Sequence, residues 1–593
     1  MWLTATHAVP SGTAFNARPA LSLYDHSKAT AALAVALWRY APAAGADAPE
    51  SLAALWDRDE EKPFLLIQGD FFGAQDFISA EGGETDRQAI EILRGRSFQI
   101  FLFMELAALR LLELLELPPT SQLAHAAGKF LIAAPNTEES RTRLREAQEE
   151  FDTWFLRHSY GTLGISLAGH EASCRDFRGG FPALMRALSQ SLEKAKHQRY
   201  DLCRNRNLVL EADFPHGVCD RQDKFPADRV EEDGRRSCAL SRDQLLMGEC
   251  PAAHSHALIV READAQAAHG RQCELAVFGY RIVFADEAGF RATAPGALRR
   301  CWDFSPRRLD EALWNGCARR LINGAAEAAG EAAGRWREQS GLMALKGDVD
   351  NLGLIFHKGL EAPEGGQNPG LAGMAALFRQ MNAFFAVYLP ALCRAECPDV
   401  YPVFAGGDEF FLIGPWLATQ RLAGRLVKEF RRYTAENEEL HFSAGMIVKK
   451  PDASARAMAA EAEAALAEAK RFDGKNAFSL RGVVRSWNDW EKLEKMEREL
   501  EQLREKYELS TGFMYGLLHL LDMRLRAATE PAAALWRSSL AYRTARRVKD
   551  KDARRREAAQ REIVTILGEK GIAGLGDAFR IPLFNHLYQR RGV

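Results

Sequence analysis

Two short acidic runs stand out by residue type and spacing. Asp348-Val349-Asp350 closes the apolar run that begins at Leu342, and Gly406-Gly407-Asp408-Glu409 interrupts another, with Gly406 58 positions beyond Asp348. Acids delivered by two adjacent strands can converge on one or two Mg²⁺ (or Mn²⁺) ions. These hard cations take oxygen ligands, keep some water and bridge to substrate phosphates. That is the electrostatic requirement of nucleotidyl transfer. Gly406 and Gly407 permit a tight turn with positive φ and leave the backbone open to a triphosphate. An isolated Asp-x-Asp is as often a solvated strand end, so the weight rests on the second acidic run and on the residues C-terminal to it.

Those residues are Phe442-Ser443-Ala444-Gly445 on a further strand and then AEAEAALAEAKRFDGKNAFSL from Ala460. Lys470 falls near the end of an Ala-rich helix and Lys475 in the loop after it, which puts two ammonium groups within reach of β- and γ-phosphates. Ser443 is placed to offer a hydroxyl to a base or ribose. A lysine at a helix C-terminus also serves the helix dipole, so neither lysine is specific alone.

The elements that must position these residues read as β-α-β-β. A strand runs from Leu342 into the acids, a helix spans about 372–392, and strands come next at 400–404, 409–413 and 439–448. An earlier stretch has the same plan, with a strand at 64–68 ending in Gly69-Asp70, a helix from about Gln88, and strands at 129–134 and 161–168. The intervals also correspond: Asp348 to Gly406 is 58 positions and Asp70 to Ala126 is 56, while Gly407 to Gly445 is 38 and Ala127 to Gly169 is 42. Matched intervals point to a duplicated unit, an α+β fold with two ferredoxin-like palms. Only the second palm carries acids at its hairpin, since the first has Ala126-Ala127-Gly128-Lys129 there.

The chain of 593 residues holds 78 Lys and Arg against 80 Asp and Glu, a net charge of −2, so no global field draws it to polyanions. The most apolar stretch, Phe98 to Leu117, includes Glu105, Arg110, Glu113 and Glu116, which excludes a membrane span there. Ten scattered cysteines without a secretory leader read as a reducing, cytoplasmic setting. Past Gly474, Leu493, Met496, Leu500, Leu503 and Tyr507 step by 3, 4, 3 and 4, the seam of an amphipathic helix. Arg537 to Arg561 holds ten Lys or Arg against three Asp or Glu, a solvated helix face or an RNA-contacting or partner-contacting patch. The organisation expected is 1–200 for N-terminal helices plus a degenerate first palm and 201–338 for a small cysteine-bearing region. A catalytic palm at 339–486 and a helical region at 487–593 complete it.

Taken together, the GGDE hairpin, the DVDNLG strand end and the Ala-rich helix with its GKN loop resemble two families: diguanylate cyclases, and the large polymerase-like subunit of type III CRISPR effector complexes. PSGTAFNARPALSLYDHSKATAALAVAL, GDFFGAQDFI, Arg94 to Phe98 and FRIPLFNHLYQRR resemble the second and extend the likeness over nearly the whole chain, whereas a cyclase accounts only for 340–485. The resemblance implies a signalling subunit that converts ATP to a cyclic oligoadenylate when target RNA pairs with guide RNA, alongside small and backbone subunits. It implies Asp348, Asp408 and Glu409 as catalytic metal ligands, with Asp350 as an additional candidate. Asn351, Gly353, Gly406, Gly407, Ser443, Lys470 and Lys475 would contact nucleotide. A stand-alone synthase of cyclic dinucleotides and a noncatalytic scaffold are the alternatives.

Three features depart from that family's pattern. No His-Asp dipeptide is present, and Asp25-His26 reads as structural, so DNA cleavage is not expected. Glu409 stands where the family commonly has a second Asp, and Glu remains a competent ligand. The two CxxC pairs of a zinc module are reduced to Cys219-Asp220-Arg221-Gln222 and Cys238-Ala239-Leu240-Ser241. Cys203, Cys250, His216, His254 and His256 lie nearby, but reduced thiols without zinc are the expectation.

Overall fold

A computed structural model describes residues 2–12, 21–45, 50, 55, 60–78, 86–126, 128–200, 211–253, 256–286, 288–289, 298–301, 341–357, 370–450, 453, 455–548 and 552–589. After helix α1 (Leu23–Tyr40), the first palm is built from β1 (Phe64–Phe72), α2 (Asp86–Leu114), β2 (Gln122–Ala126), β3 (Lys129–Pro135), α3 (Glu138–Ser159), β4 (Gly164–Ala172) and α4 (Phe181–His197). Its sheet order is β2-β3-β1-β4, with antiparallel pairs throughout. Period-2 alternation sorts β1 between two cores. Leu65, Ile67 and Phe71 join Phe103, Phe151 and Phe155 of α2 and α3 on one face. Phe64 and Leu66 join Ala32 of α1 and Phe181 of α4 on the other.

The expected β-α-β-β plan is thus β-α-β-β-α-β. Gln122–Ala126 escaped the sequence because QLAHA has no β-branched or aromatic residue to mark a strand. The fourth strand begins at Gly164, since Gly161 to Leu163 form the turn before it.

Between the palms, α5 (Ala239–Ala253) precedes an antiparallel sheet centred on β5 (His256–Arg261) and β6 (Tyr280–Ala285). Cys219, Cys238, Cys250 and Cys273 are all buried in the core of the first palm and this region. Ser241 and Gln222 occupy the positions where a zinc module would have cysteines. Ser241 Oγ lies 3.4 Å from Cys219 Sγ, and Gln222 donates to Gln244. Cys203 and His254 lie outside the described residues.

The second sheet is built from β7 (Leu342–Val349), β8 (Tyr401–Gly406), β9 (Glu409–Pro415), β10 (Phe442–Lys449), β11 (Ala477–Leu480) and β12 (Val483–Ser486), in the order β8-β9-β7-β10-β11-β12. Its first four positions repeat the order of the first sheet, strand for strand. The helix expected over 372–392 is present: α6 (Gly370–Ala383) passes through a π-helical turn, Phe384–Tyr388, and continues over Leu389–Glu396. Helices α7 (Trp416–Tyr433) and α8 (Ala455–Lys470) complete the palm. The pairings Asp70–Ser166 and Asp348–Ser443 fix the correspondence of the repeats. Gly445 therefore matches Ala168, and the expected match to Gly169 slips by one residue, which would put side chains on the wrong face.

The C-terminal helices α9 (Trp490–Tyr507), α10 (Thr511–Arg526), α11 (Trp536–Arg547), α12 (Ala553–Ile563) and α13 (Arg580–Gln589) share one core, in which Met496, Leu500 and Leu503 of the expected seam are buried. By contacts the chain forms two compact units: residues 1–309, 351–392 and 403–410, and residues 310–350, 393–402 and 411–593. No described helix is long and apolar enough to cross a membrane.

Candidate active site

In the second unit, Asp348 lies near the end of β7 opposite Ser443 of β10, and Lys470 at the end of α8 donates to its carboxylate. The helix reaches the strand because Gly445 lacks a side chain. A Cβ there would lie 2.2 Å from the Leu466 backbone nitrogen. Burial pushes the Asp348 carboxyl above its ordinary range, Lys470 pulls against this, and the like charge of Asp350 adds to the rise. A desolvated carboxylate with a second carboxylate beside it gains most from a cation.

Asp350 is fully buried, and the turn does not carry it into solvent. Its Oδ2 accepts from His441 Nδ1 at 2.8 Å, Ser443 Oγ at 2.8 Å and the Asn476 backbone N–H at 3.0 Å. Its Oδ1 has no hydrogen-bond partner among the described residues. One oxygen therefore belongs to the frame, and the other is an orphaned acceptor beside Asp348. Asp348 and Asp350 offer the hard carboxylate oxygens that Mg²⁺ or Mn²⁺ takes, but among the described residues no group of three or more His, Cys, Asp or Glu is drawn together as a closed metal cage.

The same network corrects the role expected of Ser443. Its side chain is fully enclosed, donating to Asp350 and accepting from the Ala477 N–H at 3.4 Å, so it braces the loop after α8 rather than presenting a hydroxyl to a ligand. That loop carries Lys475, whose φ of 53° and Asn476's φ of 45° are left-handed. Side chains rarely adopt such a backbone without support, and Asp350 supplies it through Asn476. His441 carried no sequence signal, because its role depends on strand register, and Asn476 entered only as part of the GKN motif.

In the first unit, the turn at 406–409 is held from outside. Gly407 has φ 67°, and its N–H donates to Asn382 Oδ1 of α6 at 2.9 Å. Phe410 is buried and stacks on Phe385 with centroids 5.4 Å apart. Asn382 stands in an unremarkable helical stretch, and only tertiary packing identifies it. Asp408 lines a cavity of about 170 Å³ together with Gly353, Phe378, Gln68, Lys129 and Ser189. Asn351, at φ 55°, accepts from the Ile355 N–H and starts the helical turn that carries Gly353. Asp25, expected to be structural, is buried and holds Arg379 of α6 through contacts of 2.8 and 2.7 Å.

The first palm keeps half of this chemistry. Asp70 lies near the end of β1 as Asp348 lies near the end of β7, and Lys196 at the end of α4 donates to it at 2.6 Å. Asp70 faces Lys129 across β1 and β3. Lys129 occupies the hairpin position that Glu409 holds in the second palm, so the charge is inverted there.

Comparison with known proteins agrees with this architecture. Residues 63–212 match the model described as Csm1 subunit domain B, and residues 342–479 match that of the Cas10/Cmr2 second palm domain. The chain is 27% identical over 541 residues to a protein of Enterococcus italicus named CRISPR system single-strand-specific deoxyribonuclease Cas10/Csm1 (subtype III-A), covering 86% of this chain and 68% of that one. A protein of the same name from Thermococcus onnurineus is 25% identical over 576 residues, covering 88% and 69%. In solved structures, the fold is similar to a Csm1–Csm4 subcomplex of the type III-A CRISPR-Csm interference complex (TM-score 0.65, 20% identity, 96% of this chain and 74% of that one). It is also similar to a Csm1–Csm4 cassette in complex with cA4 (TM-score 0.64, 20% identity, 96% and 76%).

Proposed function

Because the chain is a homologue of the Cas10/Csm1 subunits of type III-A CRISPR systems, we propose that it is the signalling subunit of an RNA-guided antiviral complex whose second palm converts ATP to a cyclic oligoadenylate. The observation that carries this reading is the asymmetry of two otherwise repeated palms. Both carry, near the end of the first strand, an acid met by a helix-terminal lysine, and only the second adds Asp408 and Glu409 at its hairpin. Asp348 corresponds to Asp70 and Glu409 to Lys129, residues that face each other in the first palm. The similar Csm1–Csm4 structures hold ATP, pppApA, pppApApA, cA3 and cA4, a series from substrate through linear oligomers to rings, which supports an adenylate substrate.

Asp348, Asp408 and Glu409 would hold Mg²⁺ or Mn²⁺, with Asp350 Oδ1 as a further donor. When bound, the cation supplies charge neutralisation at the triphosphate and acidifies the attacking hydroxyl. Lys470 and Lys475 neutralise the β- and γ-phosphates, Asp350 fixes the loop bearing Lys475, and Asn382 fixes the turn bearing Asp408. Gly353, Gly406 and Gly407 keep the backbone open to nucleotide. A ribose 3′-hydroxyl attacks the α-phosphate of a second ATP, forming a phosphodiester as pyrophosphate leaves. Catalysis is then positioning and charge neutralisation, as expected for transfer at phosphorus.

Guide RNA, target RNA and the small and backbone subunits are the partners in this reading, and the setting is cytoplasmic. It assigns nucleotidyl transfer rather than DNA cleavage to these residues. The test is to incubate the protein, alone and assembled with guide and matching target RNA, with Mg²⁺ and each labelled NTP, and to resolve products by mass spectrometry. Target-dependent oligoadenylate is expected. A cyclic dinucleotide from GTP without RNA would establish the cyclase instead, and no product from a verified complex would leave a scaffold.

A further inference from the structure

A cationic surface far along the chain from the acids takes no part in the chemistry above. Between Arg537 and Arg561 the sequence carries ten Lys or Arg and three Asp or Glu, although the whole chain has a net charge of −2. On α11 only a narrow stripe, Trp536, Leu540 and Thr544, is buried. The rest of the helix is largely exposed and holds Arg537, Arg543, Arg546 and Arg547 with no acid. Arg554, Arg555 and Arg561 of α12 add to it. Among the described residues none of these seven arginines forms an ion pair. Many other surface arginines are matched, as in Arg236–Asp220 at 2.6 Å and Arg141–Glu171 at 3.0 Å. Seven unmatched guanidinium groups on two consecutive helices therefore make a local positive field in a chain that is otherwise acidic.

The second observation is an aromatic ring set among them. Tyr542 is 62% exposed, with the Arg546 guanidinium 5.7 Å from its centroid. Around it the outer face of α11 carries only Ser538, Ala541 and Ala545. Leu535, 60% exposed at the start of the helix, is among the described residues the one large aliphatic side chain beside it, whereas a protein partner would ordinarily meet several such anchors. Guanidinium groups that can take phosphate oxygens bidentately, beside an exposed ring that can stack on a base, are the combination used for single-stranded nucleic acid. From Arg537 to Arg547 the helix spans about 15 Å, room for several nucleotides.

We propose that the outer face of α11, extended by the start of α12, binds the phosphodiester backbone of a single-stranded nucleic acid, with Tyr542 stacking on a base. This binding stands on the C-terminal helices alone and does not require the second palm to be an adenylate synthase.

The test uses the full chain and a fluorescent single-stranded RNA of about 20 nucleotides, with a DNA of the same sequence in parallel. Anisotropy is measured from about 50 to about 200 mM salt. For R537Q/R543Q/R546Q/R547Q the affinity should fall at least about tenfold. The slope of log K against log salt should shrink by about 3, because each lost phosphate contact on a single strand removes about 0.7. Tyr542→Ala should weaken binding several-fold with the slope unchanged. Should the quadruple variant unfold, Tyr542→Ala and Arg546→Gln carry the test, both being exposed. Equal losses for RNA and DNA identify the backbone as the ligand, and a loss confined to RNA adds the 2′-hydroxyl. Wild-type affinity and slope in folded variants overturn the proposal, as does retained RNA binding with loss of a protein subunit, which would make the face a protein interface.

Discussion

Lys196 donates to the Asp70 carboxylate at 2.6 Å, at the same strand end and the same helix end where Lys470 meets Asp348 in the other palm. The duplication has thus retained an acid–lysine pair in both copies, while Lys129 in one copy and Glu409 in the other give their hairpins opposite charge.

The two pairs should separate under mutation. Asp348→Ala, like Asp408→Ala with Glu409→Ala, should lower nucleotide product by at least about 100-fold while unfolding is little changed. Asp70→Ala leaves the Lys196 ammonium with Glu193 alone, at 2.8 Å, and should cost about 1 kcal/mol of stability. Product assays and denaturant unfolding of the same preparations check both. Undiminished product from the hairpin variant would remove the acids from the site.

Asn382 makes no expected contact with nucleotide, yet it accepts the N–H of the left-handed Gly407. Asn382→Ala leaves that N–H without its partner, at about 1 kcal/mol, and loosens the turn that presents Asp408. Turnover should fall about tenfold. The Mg²⁺ concentration needed for half-maximal rate should rise, while the KM for ATP changes little. A variant that lost ATP affinity with unchanged Mg²⁺ dependence would contradict this role.

His158 contributes a pH dependence away from the site. Burial, reinforced by Arg157, pushes its pKa down to about 4 from the ordinary 6.5, and the ring packs on Trp154 with centroids 4.6 Å apart. The unfolded chain then binds a proton that the folded chain refuses, so stability is full above about pH 6.5 and is lost as the pH falls toward 4. His158→Phe should flatten that part of the stability curve. Urea unfolding from pH 7 to pH 4 on both proteins supplies the difference curve, and parallel curves would count against the assignment.

The buried cysteines make a metal prediction. The Cys238 thiol hydrogen-bonds to Cys219 and holds its pKa below the ordinary thiol range, while Gln222 and Ser241 replace two ligands of a zinc module. Elemental analysis of purified protein should show well under one zinc per chain. Stoichiometric zinc would mean that other Cys or His residues complete the cage.

Much of the candidate site is legible in the linear chain. Acids at strand ends, paired glycines and a lysine closing an Ala-rich helix are local patterns, and each expresses a chemical need that residue type and spacing already reveal. The repeat is legible for the same reason, since hydrophobic period and interval length are properties of a linear chain. The weak strand at Gln122–Ala126 is not, because its pairing with β3 rather than its own composition makes it a strand.

Side-chain roles that depend on register or on distant partners had to wait for the fold. Ser443 lies opposite Asp348, yet its hydroxyl serves Asp350, and the difference between ligand contact and brace is a matter of which way a strand end turns. Asn382 reaches Gly407 across 25 positions, and Asp25 reaches Arg379 across 354. The linear order of residues determines which groups exist and the short-range periodicities that form helices and strands. Tertiary packing decides which of those groups are desolvated and which partner satisfies each, because a buried polar atom must be matched by whatever the fold brings beside it.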